Sequence, residues 1–105
     1  MTRQVHRINL GGELGLRDAD RVREQLLAAL HEHAAVRIDT SGLTAIDISI
    51  LQLLIAAQKM AKLHNQSFKI SAKSEGPLRK AARRAGLLDC TGTAPFEIQW
   101  KGGAA

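Results

Sequence analysis

The sequence predicts one α/β domain, a mixed sheet of four to five strands with its helices packed mainly against one face. Three observations carry that expectation. Short runs alternate apolar and polar residues at period two, and longer runs repeat apolar residues every three or four positions. The two kinds of run alternate along the chain, and the connections between them are short. The order β(β)αβαβα then calls for right-handed crossovers between neighbouring strands.

The first strand is read from Val5, Arg7 and Asn9, which alternate with His6, Ile8 and Leu10 before Gly11-Gly12 breaks the run. A turn at the glycines and a short second strand over 13–16 are expected. Asp18 stands where it can cap a helix in which Ala19, Val22, Leu26 and Leu30 form one apolar stripe, ending near His33. Residues 35–39 are rich in β-branched side chains and read as a strand, closed by a turn at Thr40-Ser41-Gly42 and a loop to Thr44.

From Asp47 or Ile48 to His64 the residues are strong helix formers, with Ile50, Leu54, Ala57 and Ala61 on one face. Residues 67–71 place Phe68 and Ile70 on one side and Lys69 on the other, as a strand requires. A third helix is framed by Ser74 as its cap, Pro77 in its first turn, Leu78, Ala81, Ala82 and Ala85 inside, and Gly86-Leu87 at its end. Residues 95–100 read as a late edge strand. The expected domain is 1–100, with 101–105 a disordered tail.

Bulk composition narrows the function. With 105 residues the chain fits one domain, and 45% hydrophobic with 24% charged residues suits a globular protein. Only 3% are aromatic and none is Tyr, so platforms for stacking bases are nearly absent. The net charge of +5 is spread along the chain, densest at Arg79, Lys80, Arg83 and Arg84, and a nucleic-acid role would rest on those four. The one cysteine, Cys90, forms no internal disulfide, and the first residues lack the apolar run of a signal peptide. The longest mainly apolar stretch, 46–57, contains Asp47, Ser49 and Gln52 and falls short of the roughly 20 residues a span needs. A cytoplasmic location is expected.

Enzymatic readings find little support. His31 and His33 stand two apart, which on a helix turns them about 200° from each other, so they do not share a metal ion. Cys90 follows Asp89, whose charge raises a thiol pKa, and nothing marks a positioned base. The run Gly11-Gly12-Glu13-Leu14-Gly15 lacks the lysine and hydroxyl of a phosphate-binding loop. No catalytic residue, cofactor or metal is expected.

One constellation is informative: Ile38-Asp39-Thr40-Ser41-Gly42-Leu43-Thr44-Ala45-Ile46-Asp47-Ile48-Ser49-Ile50-Leu51-Gln52-Leu53-Leu54. It resembles the signature of STAS domains, the anti-sigma-factor antagonists, in which a strand ending in Asp leads through Ser-Gly to Asp-(Ser/Thr)-(Ser/Ala)-Gly at a helix start. The first strand, the first helix, the strand at 67–71 and the frame at 74–87 are also similar to that family, so the resemblance spans about 5–88.

The resemblance implies a STAS fold and a non-catalytic partner switch of bacterial signal transduction. Asp47 falls on the motif aspartate and Ser49 on the serine that is phosphorylated in the sigma-factor branch. Ile48 stands in place of a small hydroxyl residue and Ile50 in place of a glycine that leaves a kinase room. The Leu51-Gln52-Leu53-Leu54-Ile55-Ala56-Ala57 segment is similar to STAS domains that accompany chemotaxis proteins, where the serine position is often Ala. On a helical wheel Ser49, Gln52, Ala56, Lys59 and Leu63 share one side, opposite the apolar stripe.

The expected partner surface is therefore Thr40, Ser41, Gly42, Thr44, Asp47, Ser49, Gln52, Ala56 and Lys59. The implied partner is a protein, either a serine kinase of the anti-sigma-factor class or another signalling or chemotaxis protein, met by a monomer or weak dimer. The competing reading is an accessory subunit of a lipid-transport ATPase, in which Ser49 needs only to be small.

Overall fold

The computed structural model describes residues 5–73, 76–84 and 98–101. Strands β1 (His6–Leu14), β2 (Ala35–Ile46), β3 (Ser67–Lys73) and β4 (Ile98–Lys101) alternate with helices α1 (Ala19–Glu32), α2 (Ile48–Leu63) and α3 (Pro77–Arg84). The strands lie in the order β1-β2-β3-β4, and each neighbouring pair is parallel. Sequential order with crossovers of one hand carries every connecting helix to the same side of the sheet.

Burial along the strands agrees with that geometry. Ile8, Leu10, Val36, Ile38, Phe68 and Ile70 are buried, whereas the alternate residues Arg7, Asn9 and Lys69 are exposed. The inward side chains join Val22, Leu26 and Leu30 of α1, Ile50, Leu51 and Leu54 of α2, and Leu78 and Ala82 of α3 in one core. Each large aliphatic side chain so buried contributes about 2 kcal/mol. Ring stacking of His6 on His33, centroids 4.2 Å apart, joins the start of β1 to the end of α1.

The strand pattern departs from expectation around the glycines. No second strand starts after Gly12; β1 runs on to Leu14, and a 3-10 turn at Leu16–Asp18 leads into α1. Likewise Thr40-Ser41-Gly42 and the expected loop to Thr44 lie within β2. The pairing is Asn9↔Asp39 and then Gly11↔Gly42, followed by Gly12↔Leu43 and Glu13↔Ala45. β2 thus carries an extra residue twice, and these bulges absorb the local kinks that a turn would otherwise have used. Without a hairpin there is no antiparallel pair among the described strands, which form a parallel sheet where a mixed one was expected.

Caps were partly legible. Asp18 does not bond the α1 amides; its Oδ2 accepts from the Gly15 N–H at 2.9 Å while its own N–H donates to the Gly15 carbonyl at 2.9 Å. The carboxylate therefore closes the 3-10 turn. Pro77 opens α3 as expected, and the Gly76 carbonyl accepts from the Lys80 N–H. Ser74, Ala85, Gly86, Leu87, Cys90 and Pro95 lie outside the described residues, as do 102–105. Lys101, placed in the tail by the sequence, belongs to β4.

Candidate functional site at the start of helix α2

Asp47 opens α2 with extended backbone, and its side chain accepts from the Ser49 N–H at 2.9 Å. That is the N-cap geometry that satisfies an amide left unpaired by the helix. The same carboxylate oxygen, Oδ2, accepts from the Ser49 hydroxyl at 2.6 Å. These bonds hold the Asp47 carboxyl below the usual carboxylate range, the Ser49 hydroxyl contributing most and the Ser49 amide next. The Asp47 N–H donates to the Leu14 carbonyl at 2.8 Å, which ties the helix start to the end of β1.

The wheel drawn from the sequence divides as expected. Ile50, Leu54, Ala57 and Ala61 are buried, while Gln52, Ala56, Lys59 and Leu63 are exposed and Ser49 is half-buried. Ile50, which stands where the resemblance calls for glycine, points into the core with no exposed surface. It therefore does not crowd Ser49. Ile48 is 45% exposed beside the serine and is the residue that shapes its surroundings.

The hydroxyl-bearing stretch of β2 splits into two roles. Thr40 is buried, and its Oγ1 donates to the Ser71 carbonyl at 2.9 Å, so it fastens β2 to β3 and presents nothing outward. Ser41, Gly42 and Thr44 are exposed. The Ser41 N–H, at the first bulge, is taken by Asp39 Oδ1 at 2.9 Å. Gly42 faces Gly11 closely enough that a Cβ on Gly42 would stand 3.5 Å from the Gly11 Cα. Thr40 thus serves the sheet, whereas Thr44, Asp47, Gln52, Ala56 and Lys59 are exposed and Ser49 is half-buried, spread from the end of β2 along α2.

Sequence reasoning passed over the apolar rim of this patch. Leu16 is 72% exposed in the 3-10 turn two residues beyond Leu14, whose carbonyl the Asp47 amide reaches. With Ile48 it leaves large aliphatic side chains in water beside the start of α2. The signal was present in the sequence, since neither Leu16 nor Ile48 belongs to an apolar stripe.

Among the described residues no three His, Cys, Asp or Glu side chains group as metal ligands, and no helix is long and apolar enough to cross a membrane.

The fold has counterparts among known proteins. No curated protein matches the chain. The solved structure of the anti-sigma factor antagonist SpoIIAA in its unphosphorylated form superposes with a TM-score of 0.65 over 82% of this chain and 76% of that one, at 22% identity. The sequence family described as "Mlab, STAS domain" matches residues 1–92, a span containing β1 through α3 and the whole Asp47–Ser49 site. The chain belongs to the STAS domain family.

Proposed function

We propose that this domain is a non-catalytic, protein-binding switch of the anti-sigma-factor-antagonist kind, acting in the bacterial cytoplasm and controlled by phosphorylation of Ser49. The observation that carries the reading is the hydroxyl of Ser49, half-buried at the first turn of α2 and bonded to Asp47, with exposed Ile48 next to it and exposed Gln52 and Ala56 further along the same helix. Exposed aliphatic side chains such as Ile48, set among small and polar ones, are the kind of mixed surface that a protein partner covers. A serine there is a useful control point. Phosphorylation adds about −1.5 to −2 charges beside Asp47 and converts the hydroxyl donor into an ester oxygen. Burying that charge unpaired under a partner costs on the order of 3 kcal/mol, more than a hundredfold in affinity.

The partner that fits is a serine kinase of the anti-sigma-factor class or another signalling protein, chemotaxis proteins included, docking on Ser41, Gly42, Thr44, Asp47, Ser49, Gln52, Ala56 and Lys59. The test is co-purification from the native cells of tagged Ser49→Ala and Ser49→Asp chains. Loss of a partner from the Asp variant alone supports the switch. Equal recovery from both removes Ser49 from the mechanism.

Exposed Ile48 and Leu16 favour a second reading, an accessory subunit held constitutively on a transport ATPase, since aliphatic contacts need no modification to form. An ATPase that co-purifies with both variants, unaffected by phosphatase, decides for it.

A further inference from the structure

The face of the sheet turned away from the helices carries a row of cations. Arg7 of β1 is in register with Arg37 of β2, and Arg37 with Lys69 of β3. All three occupy the positions that alternate with the buried Ile8, Ile38 and Ile70, so they stand on one surface; Arg7 and Lys69 are exposed and Arg37 half-buried. None of them makes an ion pair or hydrogen bond with another described residue. Asp39, two positions further on the same face, gives one carboxylate oxygen to the Ser41 N–H.

Like charges directly opposite on neighbouring strands destabilise a sheet. A row of three such residues therefore works against folding, and an anionic partner would convert the cost into affinity. Strand spacing sets the interval between the cations at about 4.8 Å. Carboxylates four residues apart on a helix stand about 5–6 Å from each other, close to that interval, whereas those on one side of an extended strand are about 6.8 Å apart. The described row has no aromatic side chain to stack a base, and the exposed aliphatic residue beside it, Val5, is a single small side chain rather than a patch that would enter a lipid layer.

We propose that this face is a second docking surface, one that receives a helix bearing a stripe of Glu or Asp at four-residue spacing, laid across β1, β2 and β3. Arg7 and Arg37 pair bidentately with its carboxylates and Lys69 supplies a point charge. Since α2 packs on the other face of the sheet, both surfaces can be occupied at once. The inference stands apart from the Ser49 reading and survives its failure.

The probe is a synthetic helical peptide with three Glu at four-residue spacing, set against the same peptide with Gln in their places, with binding followed by fluorescence anisotropy. The full chain is expected to bind the Glu peptide about tenfold or more tightly than the Gln peptide, and to lose that preference in high salt. Arg7→Gln/Arg37→Gln/Lys69→Gln is expected to abolish the preference while melting no lower than the parent. A control of equal net charge, Lys62→Gln/Arg83→Gln/Arg84→Gln, is expected to keep it. Equal binding of the two peptides overturns the proposal, as does equal loss in the two triple variants. Tighter binding of phosphatidylserine vesicles or duplex DNA than of the Glu peptide also overturns it and assigns the row to those polyanions.

Discussion

The hydroxyl of Ser49 and the carboxylate of Asp47 are 2.6 Å apart, and the same carboxylate oxygen also accepts the Ser49 amide. The candidate switch residue is thus wired to the residue that caps its own helix. Modification of one is felt by the other.

Ser49→Ala removes the largest influence that holds the Asp47 carboxyl low. The Asp47 titration, followed by side-chain carboxyl NMR, is expected to move up towards the ordinary value while the helix persists. A carboxyl whose folded pKa lies below its unfolded one adds stability that is present above the unfolded pKa and lost as pH falls through the folded one. Acid unfolding monitored by circular dichroism should therefore begin at higher pH in Ser49→Ala. An unmoved Asp47 titration would show that the hydroxyl bond is absent in solution.

Ile48 and Ile50 are expected to separate binding from stability. Ile50→Ala empties a fully buried site and should cost about 3 kcal/mol in urea denaturation. Ile48→Ala, at a 45% exposed position, should leave the midpoint nearly unchanged and weaken partner retention in the co-purification assay. A strong stability loss at Ile48 would mean that its side chain belongs to the core.

Gly12 has a φ of 71°, in the left-handed region, between the two bulges of β2. Gly12→Ala is expected to destabilise by about 1 kcal/mol in chemical denaturation, because a Cβ is strained there although nothing stands within 4 Å of it. Gly15→Ala, equally open but without positive φ, is the comparison that should show less.

Gln66 follows α2 in sequence yet its amide donates to the carbonyls of Leu30 and His33, the latter at 3.0 Å, closing the end of α1. Gln66→Ala leaves these carbonyls without that donor and is expected to cost about 1–2 kcal/mol. Hydrogen exchange should speed up in the last turn of α1 before it does in α2.

Much of the architecture was legible because period and capping are local. The spacing of Val22, Leu26 and Leu30 marks α1, and that of Ile50, Leu54, Ala57 and Ala61 marks α2 together with its outward side. Alternation at Ile8, Leu10, Phe68 and Ile70 marks strands and their buried face. Asp47 and Ser49 were singled out from motif resemblance, and the structure places them in one bonded unit.

What local pattern could not decide was pairing. Whether Gly11-Gly12 and Thr40-Ser41-Gly42 turn the chain depends on the strand alongside, and once β1 and β2 lie parallel the same residues are carried within the strands as bulges. Burial of Thr40 is settled by its bond to β3, thirty-one residues away. The alignment of Arg7, Arg37 and Lys69 into one row likewise exists only through register. The sequence by itself determined which side of each regular helix and strand faces inward, since that follows from the segment's own period. Tertiary structure alone decided which residues stand side by side, because hydrogen bonds between strands join parts of the chain that have no local knowledge of one another.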